Sequence, residues 1–523
     1  MSFGDSIANS PELRAEGASR ENSHNMSLGD STTNSPDLQA EGASEENSYN
    51  KPLALKREKI MMLTMFYYAL AFTIFSFFAV LKWNSLRYSR KGMPPGSLGW
   101  PLVGETIKFL TQGPDFMKRS TLRYGSLFKT HVLGSPTVIS TDPEINRYIL
   151  MNEAKGLVPG YPDSMRKILG TNISEVHGAE HKRIRGSLLS LVGPIAVKDR
   201  LLTEVDDFMS SYLDNWDGKI VDIQEKTVEM SFFVSMKAVV EDEPNSFIEY
   251  FKASFDKMAL GTISLPFKIP GTQYYRGLKA REKVLAMLRE LIAKRRASSA
   301  THNDILDQLV RNEDGKYKLN DEEIMEQITT ILYSGYETVS TTTMMSIKYL
   351  CDNPDILQAV RDEHFAILQK KLHGERINWD DYKSMRQTRA VLLETMRLAT
   401  VVNGVMRRTT KDIELNGYMI PKGWRVYVYT RDGNFDPILY EEPFTFNPRR
   451  WLEKGLETHN HNMLFGAGGR VCPGKEWGMF KISIFIHYLV TRYRWEEVEG
   501  SKTLAKFPRV MAPTGLHMKI KKY

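Results

Sequence analysis

The residues best suited to chemistry in this 523-residue chain gather around one of its two cysteines. In Phe465-Gly466-Ala467-Gly468-Gly469-Arg470-Val471-Cys472-Pro473-Gly474, Cys472 sits in a glycine-rich turn just ahead of the helical stretch Lys475-Glu476-Trp477-Gly478-Met479-Phe480. Backbone N–H groups and the positive end of that helix both favour a thiolate, which is a soft anionic metal ligand. The glycines let backbone approach a flat cofactor closely, and Arg470 can pair with a carboxylate on it. A structural thiol in a tight turn, or a loop that cradles phosphate, would use the same residues. A dinucleotide loop fits poorly, because no strand precedes Gly-Ala-Gly-Gly in a βαβ unit.

Two other groups stand out. Ser334-Gly335-Tyr336-Glu337-Thr338 interrupts a long apolar helical segment. Polar side chains there are costly unless they bond locally or serve a site, and Gly335 weakens the helix further. The bland alternative is a threonine bonded back one turn beside a surface glutamate. Glu394 and Arg397 lie three apart on one helical face and can pair, as countless solvated pairs do.

The elements that must position these groups are mainly helical. Periodicity predicts helices over residues 274–297, 321–350, 353–371, 384–398 and 476–492. Strand pairs are predicted over 125–141 and 412–430, the second with Asn416-Gly417 as its hairpin turn. Strands too few to alternate with helices throughout do not suit a doubly wound dinucleotide fold. Residues 60–81, IMMLTMFYYALAFTIFSFFAVL, carry no charge and are long enough to span a bilayer core of about 30 Å, so a transmembrane helix is predicted there. Four basic residues flank it on each side, in 51–59 and in the Pro-rich linker 82–96, so the immediate flanks do not orient it. Residues 97–523 form one large domain.

Residues 1–50 are a tandem duplication of a 25-residue unit, MSFGDSIANSPELRAEGASRENSHN against MSLGDSTTNSPDLQAEGASEENSYN. The unit is too polar to offset its chain entropy by burial and is predicted to be a disordered acidic tail. It carries −7, which leaves +14 on a body whose overall chain charge is +7. Those lysines and arginines are dispersed without a nucleic-acid-binding signature. Two cysteines exclude a disulfide scaffold and a four-thiol zinc site.

Taken together, the motifs resemble the cytochrome P-450 superfamily. Phe465, Gly468, Arg470, Cys472 and Gly474 match every fixed position of its haem-ligand loop. The other signatures follow in the superfamily's order. The 334–338 segment is similar to its oxygen-binding stretch, Glu394-Thr395-Met396-Arg397 to its Glu-x-x-Arg, and Phe446-Asn447-Pro448-Arg449-Arg450-Trp451 to the segment that supplies a further arginine. His181-Lys182-Arg183-Ile184-Arg185 occupies the place of Trp-x-x-x-Arg, with His181 standing where tryptophan is usual. The resemblance implies a mainly α fold with small β-sheets. It implies haem b held by the Cys472 thiolate, and carboxylate contacts from Arg185, His181 and Arg407. A Glu394–Arg397–Arg450 network would lie beneath the haem, and Glu337 and Thr338 would handle dioxygen and its protons. Electrons would come from NADPH through a separate reductase, with O2 as cosubstrate.

Longer strings, over residues 147–165, 331–342 and 381–410, resemble plant brassinosteroid-6-oxidases. They imply oxidation of 6-deoxo steroids at ring carbon 6, as in 6-deoxocastasterone to castasterone, by an endoplasmic reticulum protein whose catalytic domain faces the cytosol. By the same analogy residues 157–162, 332–335, 401–405 and 513–515 line the substrate pocket. Another plant sterol or triterpenoid hydroxylase, a haem-thiolate isomerase or dehydratase, and a non-catalytic membrane protein that binds haem or sterol are the rivals. NADPH-dependent turnover separates the last two from the rest. Asn25 and Asn172 both head glycosylation sequons, one on each side of the anchor.

Overall fold

The computed structural model describes residues 46–88, 90–101, 103–311, 317–372, 374–498 and 504–523. The duplicated tail, with Asn25, lies outside the described residues except for 46–50, which are helical. The chain divides into two compact units, residues 1–76 and 77–523. In the first, the described residues form one helix beginning at Glu46, which ends at Tyr88 in the second. It overruns 60–81 in both directions, because Lys, Arg and Glu are good helix formers: charge stops the apolar run without stopping the helix. Among the described residues it is the one helix long and apolar enough to cross a membrane, over Leu55–Tyr88.

The second unit is mainly helical with three small sheets. The strands are β1 (Leu127–Val132), β2 (Ser135–Ser140), β3 (Leu157–Pro159), β4 (Ile220–Asp222), β5 (Gly404–Thr409), β6 (Ile413–Leu415), β7 (Tyr418–Ile420), β8 (Arg425–Tyr429), β9 (Tyr493–Glu497) and β10 (His517–Lys522). The largest sheet runs β1-β2-β8-β5-β3, the next β4-β10-β9, and β6-β7 is a hairpin. In that hairpin Asn416 and Gly417 both take positive φ, 49° and 77°, the geometry a two-residue turn needs to follow the strand twist. The β2–β8 pair is parallel and the others are antiparallel.

The five predicted helices are present as Gln273–Ala297, Asp321–Asp352, Pro354–Leu368, Arg386–Ala399 and Lys475–Arg492. The second of these, the central helix, starts with a reciprocal cap between Asn320 and Glu323, which satisfies two otherwise orphaned N–H groups. It packs against Ile223–Val239, Arg386–Ala399 and Lys475–Arg492. Its apolar residues Ile328, Leu332, Met345 and Ile347 are completely buried.

Beneath these helices a charged cluster is sealed from water. Glu394, Arg397 and Arg450 are at most 2% exposed. The Glu394 carboxylate takes both Arg397 Nε and Nη2, at 2.9 and 2.8 Å, Arg450 Nε at 3.2 Å, Trp451 Nε1 at 2.8 Å and the Asn447 N–H at 3.0 Å. Arg397 Nη1 also donates to the carbonyls of Asn434 and Pro443 at 2.6 and 2.7 Å. One carboxylate thereby fixes the helix Arg386–Ala399, the short helix Arg449–Glu453 and the loop between them. Removing one member of such a cluster strands the rest, at about 3–5 kcal/mol. Glu394→Ala is therefore expected to cut the yield of folded protein and lower Tm in a thermal melt by far more than a surface substitution such as Glu282→Ala.

Candidate active site

The 465–474 loop is built by backbone contacts. The Cys472 N–H donates to the Phe465 carbonyl at 2.9 Å, and the Gly466 N–H to Met463 O at 2.9 Å. Gly466 and Gly468 take φ of 78° and 70°, which side chains other than glycine adopt at a cost. Gly468 is doubly constrained, because a Cβ there would stand 2.7 Å from the Leu150 carbonyl oxygen. Arg470 bolts the loop to the domain: its Nη2 donates to Glu153 Oε1 at 2.6 Å and its Nη1 to the Ile173 carbonyl at 2.8 Å. The carboxylate that Arg470 holds here belongs to the protein, to Glu153, whose acidity the arginine and neighbouring cations increase despite burial.

The loop forms one wall of a cavity of about 610 Å³, within the range of ligand pockets. Cys472, Glu337, Thr338, His181, Arg185, Arg407, Arg470 and Phe465 all line it. The Cys472 thiol is accessible from this cavity while protein surrounds it. Burial raises its pKa, opposed by the Gly474 N–H and by Arg185 and Lys475. Lys475 Nζ also stands 5.0 Å from the Phe465 ring centre.

A second wall carries the acid and the hydroxyl. Thr338 Oγ1 donates back to the Ser334 carbonyl at 2.7 Å, which is the local bond that lets a polar group sit in a helix. Glu337 is not a surface residue: it lines the cavity and pairs with Arg509 across 2.7 Å. Burial raises its pKa and Arg509 opposes the rise, so the carboxyl retains a proton more readily than a solvated glutamate. Arg509 is the functional neighbour that the sequence reading missed; nothing local in Phe507-Pro508-Arg509 signals it.

The third wall is cationic. Arg407 is only 4% exposed, its Nε is buried without a hydrogen-bond partner, and among the described residues no carboxylate lies within ion-pair distance of it or of Arg185. Burial lowers the pKa of both. His181 beside them is held down to about 4 by burial, then by Arg470, so it is neutral near pH 7 and can donate one hydrogen bond. A buried guanidinium with an orphaned donor calls for an anion. Arg407 with its orphaned donor, the part-exposed Arg185 beside it, a neutral donor, a soft sulfur ligand and a close-approach glycine loop fit haem: Arg185, Arg407 and His181 would hold its carboxylates and Cys472 its metal.

Around this core the pocket expectations are met unevenly. Pro159, Tyr161, Tyr333, Ser334, Gly335 and the whole of 401–405 line the cavity, whereas 513–515 do not. A side chain on Gly515 would run into Asp222 and His517, so this stretch braces β4 and β10, and the C-terminal segment reaches the cavity at Pro508 instead. Asn172 is buried, and its Nδ2, the atom that would carry a glycan, donates to the Leu169 and Gly170 carbonyls at 3.4 and 3.3 Å, so the folded domain does not present it for modification.

Comparison with known proteins agrees with this geometry. A sequence model of the family described as Cytochrome P450 matches residues 94–523. Cytochrome P450 85A of Phaseolus vulgaris is 56% identical over 446 residues, 85% of this chain and 96% of that protein. Cytochrome P450 85A2 of Arabidopsis thaliana is 56% identical over 447 residues, with the same two shares. A 3-epi-6-deoxocathasterone 23-monooxygenase of Arabidopsis thaliana is 34% identical over 448 residues, 82% of this chain and 85% of its own. Among solved structures, a retinoic acid-bound cyanobacterial CYP120A1 superposes with a TM-score of 0.74 at 28% identity, covering 82% of this chain and 99% of its own.

Two substitutions test the site. Cys472→Ser is expected to abolish the thiolate-type carbon monoxide difference spectrum of the reduced protein. Arg407→Met should leave that signature intact but weaken haem retention by about 10–100-fold, the worth of a charge-assisted bond of about 1.5–3 kcal/mol, read as haem lost to an apomyoglobin acceptor.

Proposed function

We propose, from the premise that this chain belongs to the cytochrome P450 family, that it oxidises a brassinosteroid at ring carbon 6, taking 6-deoxocastasterone to castasterone. As a family member it is a haem-thiolate monooxygenase that uses O2 and electrons passed from NADPH by a separate reductase. The observation that carries the proposal is the extent of likeness to the Cytochrome P450 85A proteins, together with the resemblance to brassinosteroid-6-oxidases in the 147–165, 331–342 and 381–410 strings. The name of the 34%-identical relative places oxidation of a 6-deoxo compound among its kin.

Cys472 would hold the haem through its thiolate, and the bound group would supply dioxygen activation, which a thiolate ligand favours. The chain's own residues do the rest. Arg185 and Arg407 balance the carboxylates, and His181 donates to them. Glu337, its carboxyl readier to hold a proton than an exposed one, is the group that passes protons into the cavity. Thr338, its own proton committed to the Ser334 carbonyl, offers its oxygen lone pairs as acceptors. Val401, Val402, Val405 and Leu188 supply apolar wall against which a steroid body excludes water. Two hydroxylations at one carbon give a geminal diol, which loses water to become the ketone.

The helix over Leu55–Tyr88 is the anchor in this reading. The membrane is that of the endoplasmic reticulum, and residues 97–523 face the cytosol. A glycan at Asn25 in membranes, mapped by mass spectrometry, is the pattern this orientation predicts.

The reaction is tested by product analysis of membranes holding this protein and a plant reductase, supplied with NADPH and 6-deoxocastasterone. NADPH-dependent castasterone is expected. No product from protein with an intact carbon monoxide spectrum would discard the substrate and keep the monooxygenase. In the same assay Glu337→Gln should lower product formation on the order of 10²-fold, the lower end for loss of a general acid, and Thr338→Ala should divert electrons from product to hydrogen peroxide.

A further inference from the structure

The helix Lys475–Arg492 buries an amine that the roles above leave unused. Lys481 is 0% exposed and is the one lysine or arginine in the apolar run 479–490. Its Nζ donates to Ser235 Oγ at 2.9 Å and stands 4.8 Å from the centre of the Trp477 ring. Ser235 Oγ in turn donates to the Ser231 carbonyl at 2.7 Å, and Ser231, through its separate hydroxyl, donates to the Gly335 carbonyl at 2.6 Å. A methyl on Gly335 would stand 3.1 Å from Lys481 Nζ and 3.3 Å from Ser235 Oγ. The amine therefore abuts the central helix at its glycine, within one turn of Glu337 and Thr338, and it borders the same cavity.

Every group facing the amine is uncharged: Ser231 and Ser235 from the helix Ile223–Val239, Gly335 from the central helix, and Trp477 from its own helix. Burial alone sets its proton affinity, lowering the pKa to about 7. A buried cation without a partner is expensive, and methionine, also long and unbranched, would fill the space without that penalty. Packing gives no reason for an ammonium here. Its electrostatic hold on Ser235 does: a charged donor makes a bond roughly twice as strong as a neutral one, the two bonds that share Ser235 Oγ polarise one another, and Ser231, held at its carbonyl, presents its hydroxyl to Gly335. A hydroxyl drawing on a helix carbonyl also competes with the helix's own N–H and bends it.

We propose that Lys481 is a positioning residue for the 334–338 turn: as an ammonium it tightens the Ser235–Ser231–Gly335 chain and fixes the turn that presents Glu337 and Thr338 to the cavity, and as a neutral amine it lets that turn relax. The yield of product per NADPH should therefore fall as pH rises through neutrality. The proposal depends on the family's use of dioxygen and not on which steroid is bound.

The test compares the full-length, haem-loaded protein with Lys481→Met and Ser235→Ala, in membranes with reductase, from pH 6 to pH 9. The first readout is the share of NADPH electrons released as hydrogen peroxide, measured with 6-deoxocastasterone, and without it should the unaltered protein make no product from that steroid. In the unaltered protein this share should rise across pH 7. It should be raised at least threefold at pH 6 and pH-independent in Lys481→Met, with Ser235→Ala between. The second readout is Tm. Because the folded pKa of about 7 lies below the ordinary value of 10.5, the unfolded chain binds more protons between those limits, and stability from this group rises with pH there. Lys481→Met should therefore melt above the unaltered protein at pH 6, with the gap narrowing toward pH 9. Peroxide profiles that superimpose for the unaltered protein and Lys481→Met overturn the proposal and leave Lys481 a structural residue. A Tm gap that does not change with pH overturns it as well. If Lys481→Met does not fold, Ser235→Ala carries the peroxide test, and a profile identical to that of the unaltered protein overturns the proposal.

Discussion

Cys472 has to be held still at the end of a loop, and the site depends on how that is done. The sulfur must face a cavity, while its own backbone must be as rigid as a core residue. Three fixed contacts achieve this: the closure from Cys472 N–H to Phe465 O, the approach of Gly468 to Leu150 that forbids a Cβ, and the clamp of Arg470 on Glu153. None involves the thiol itself, which leaves the sulfur free to be a ligand. The Gly474 N–H then offsets part of the cost of burying a thiolate. Rigidity of this kind comes from backbone and salt bridge, so it survives a large change in what the cavity contains.

The Glu394 cluster does a related job at a different level. A carboxylate that meets two arginines, an indole and a backbone N–H has little lone-pair capacity left, and the two arginines spend their remaining donors on carbonyls of the 434–445 segment. Such a cluster adds little net stability compared with an apolar core. Its geometry is nevertheless specific, because any other arrangement of these segments leaves a buried charge uncompensated. The cluster is therefore better understood as setting the register of the segments leading into the 465–474 loop than as glue.

Much of this was legible in sequence because it depends on local chemistry. The Asn416-Gly417 turn, the five long helices and the glycine pattern around Cys472 each follow from the residues that form them. So does Glu394 with Arg397, three apart on one face. What the sequence concealed depends on chain crossings. Glu153 meets Arg470 and Arg509 meets Glu337 only because strands and loops distant in sequence converge, and neither pairing has a periodic signature. The 513–515 stretch went astray for the same reason: its place was inferred by analogy along the chain, whereas pairing of β10 with β4 turns it away from the cavity. Lys481 did carry a signal, a solitary ammonium in an apolar helix, but only its contact with Gly335 gives that signal a meaning.

The charge pattern of the cavity ties these observations together. Arg185, Arg407 and Arg470 crowd one wall, and that crowding, after burial, is what keeps His181 uncharged. Without Glu153 the wall would hold three cations and no anion. With it, Arg470 is neutralised and committed to structure, while Arg185 and Arg407 keep no carboxylate partner among the described residues. Another part of the lining reverses the logic: there burial raises the pKa of an acid, Glu337, relieved by one arginine of its own. The cavity lining thus combines fixed positive charge with a carboxyl that retains a proton more readily than a solvated one, the pairing that the proposed function calls on.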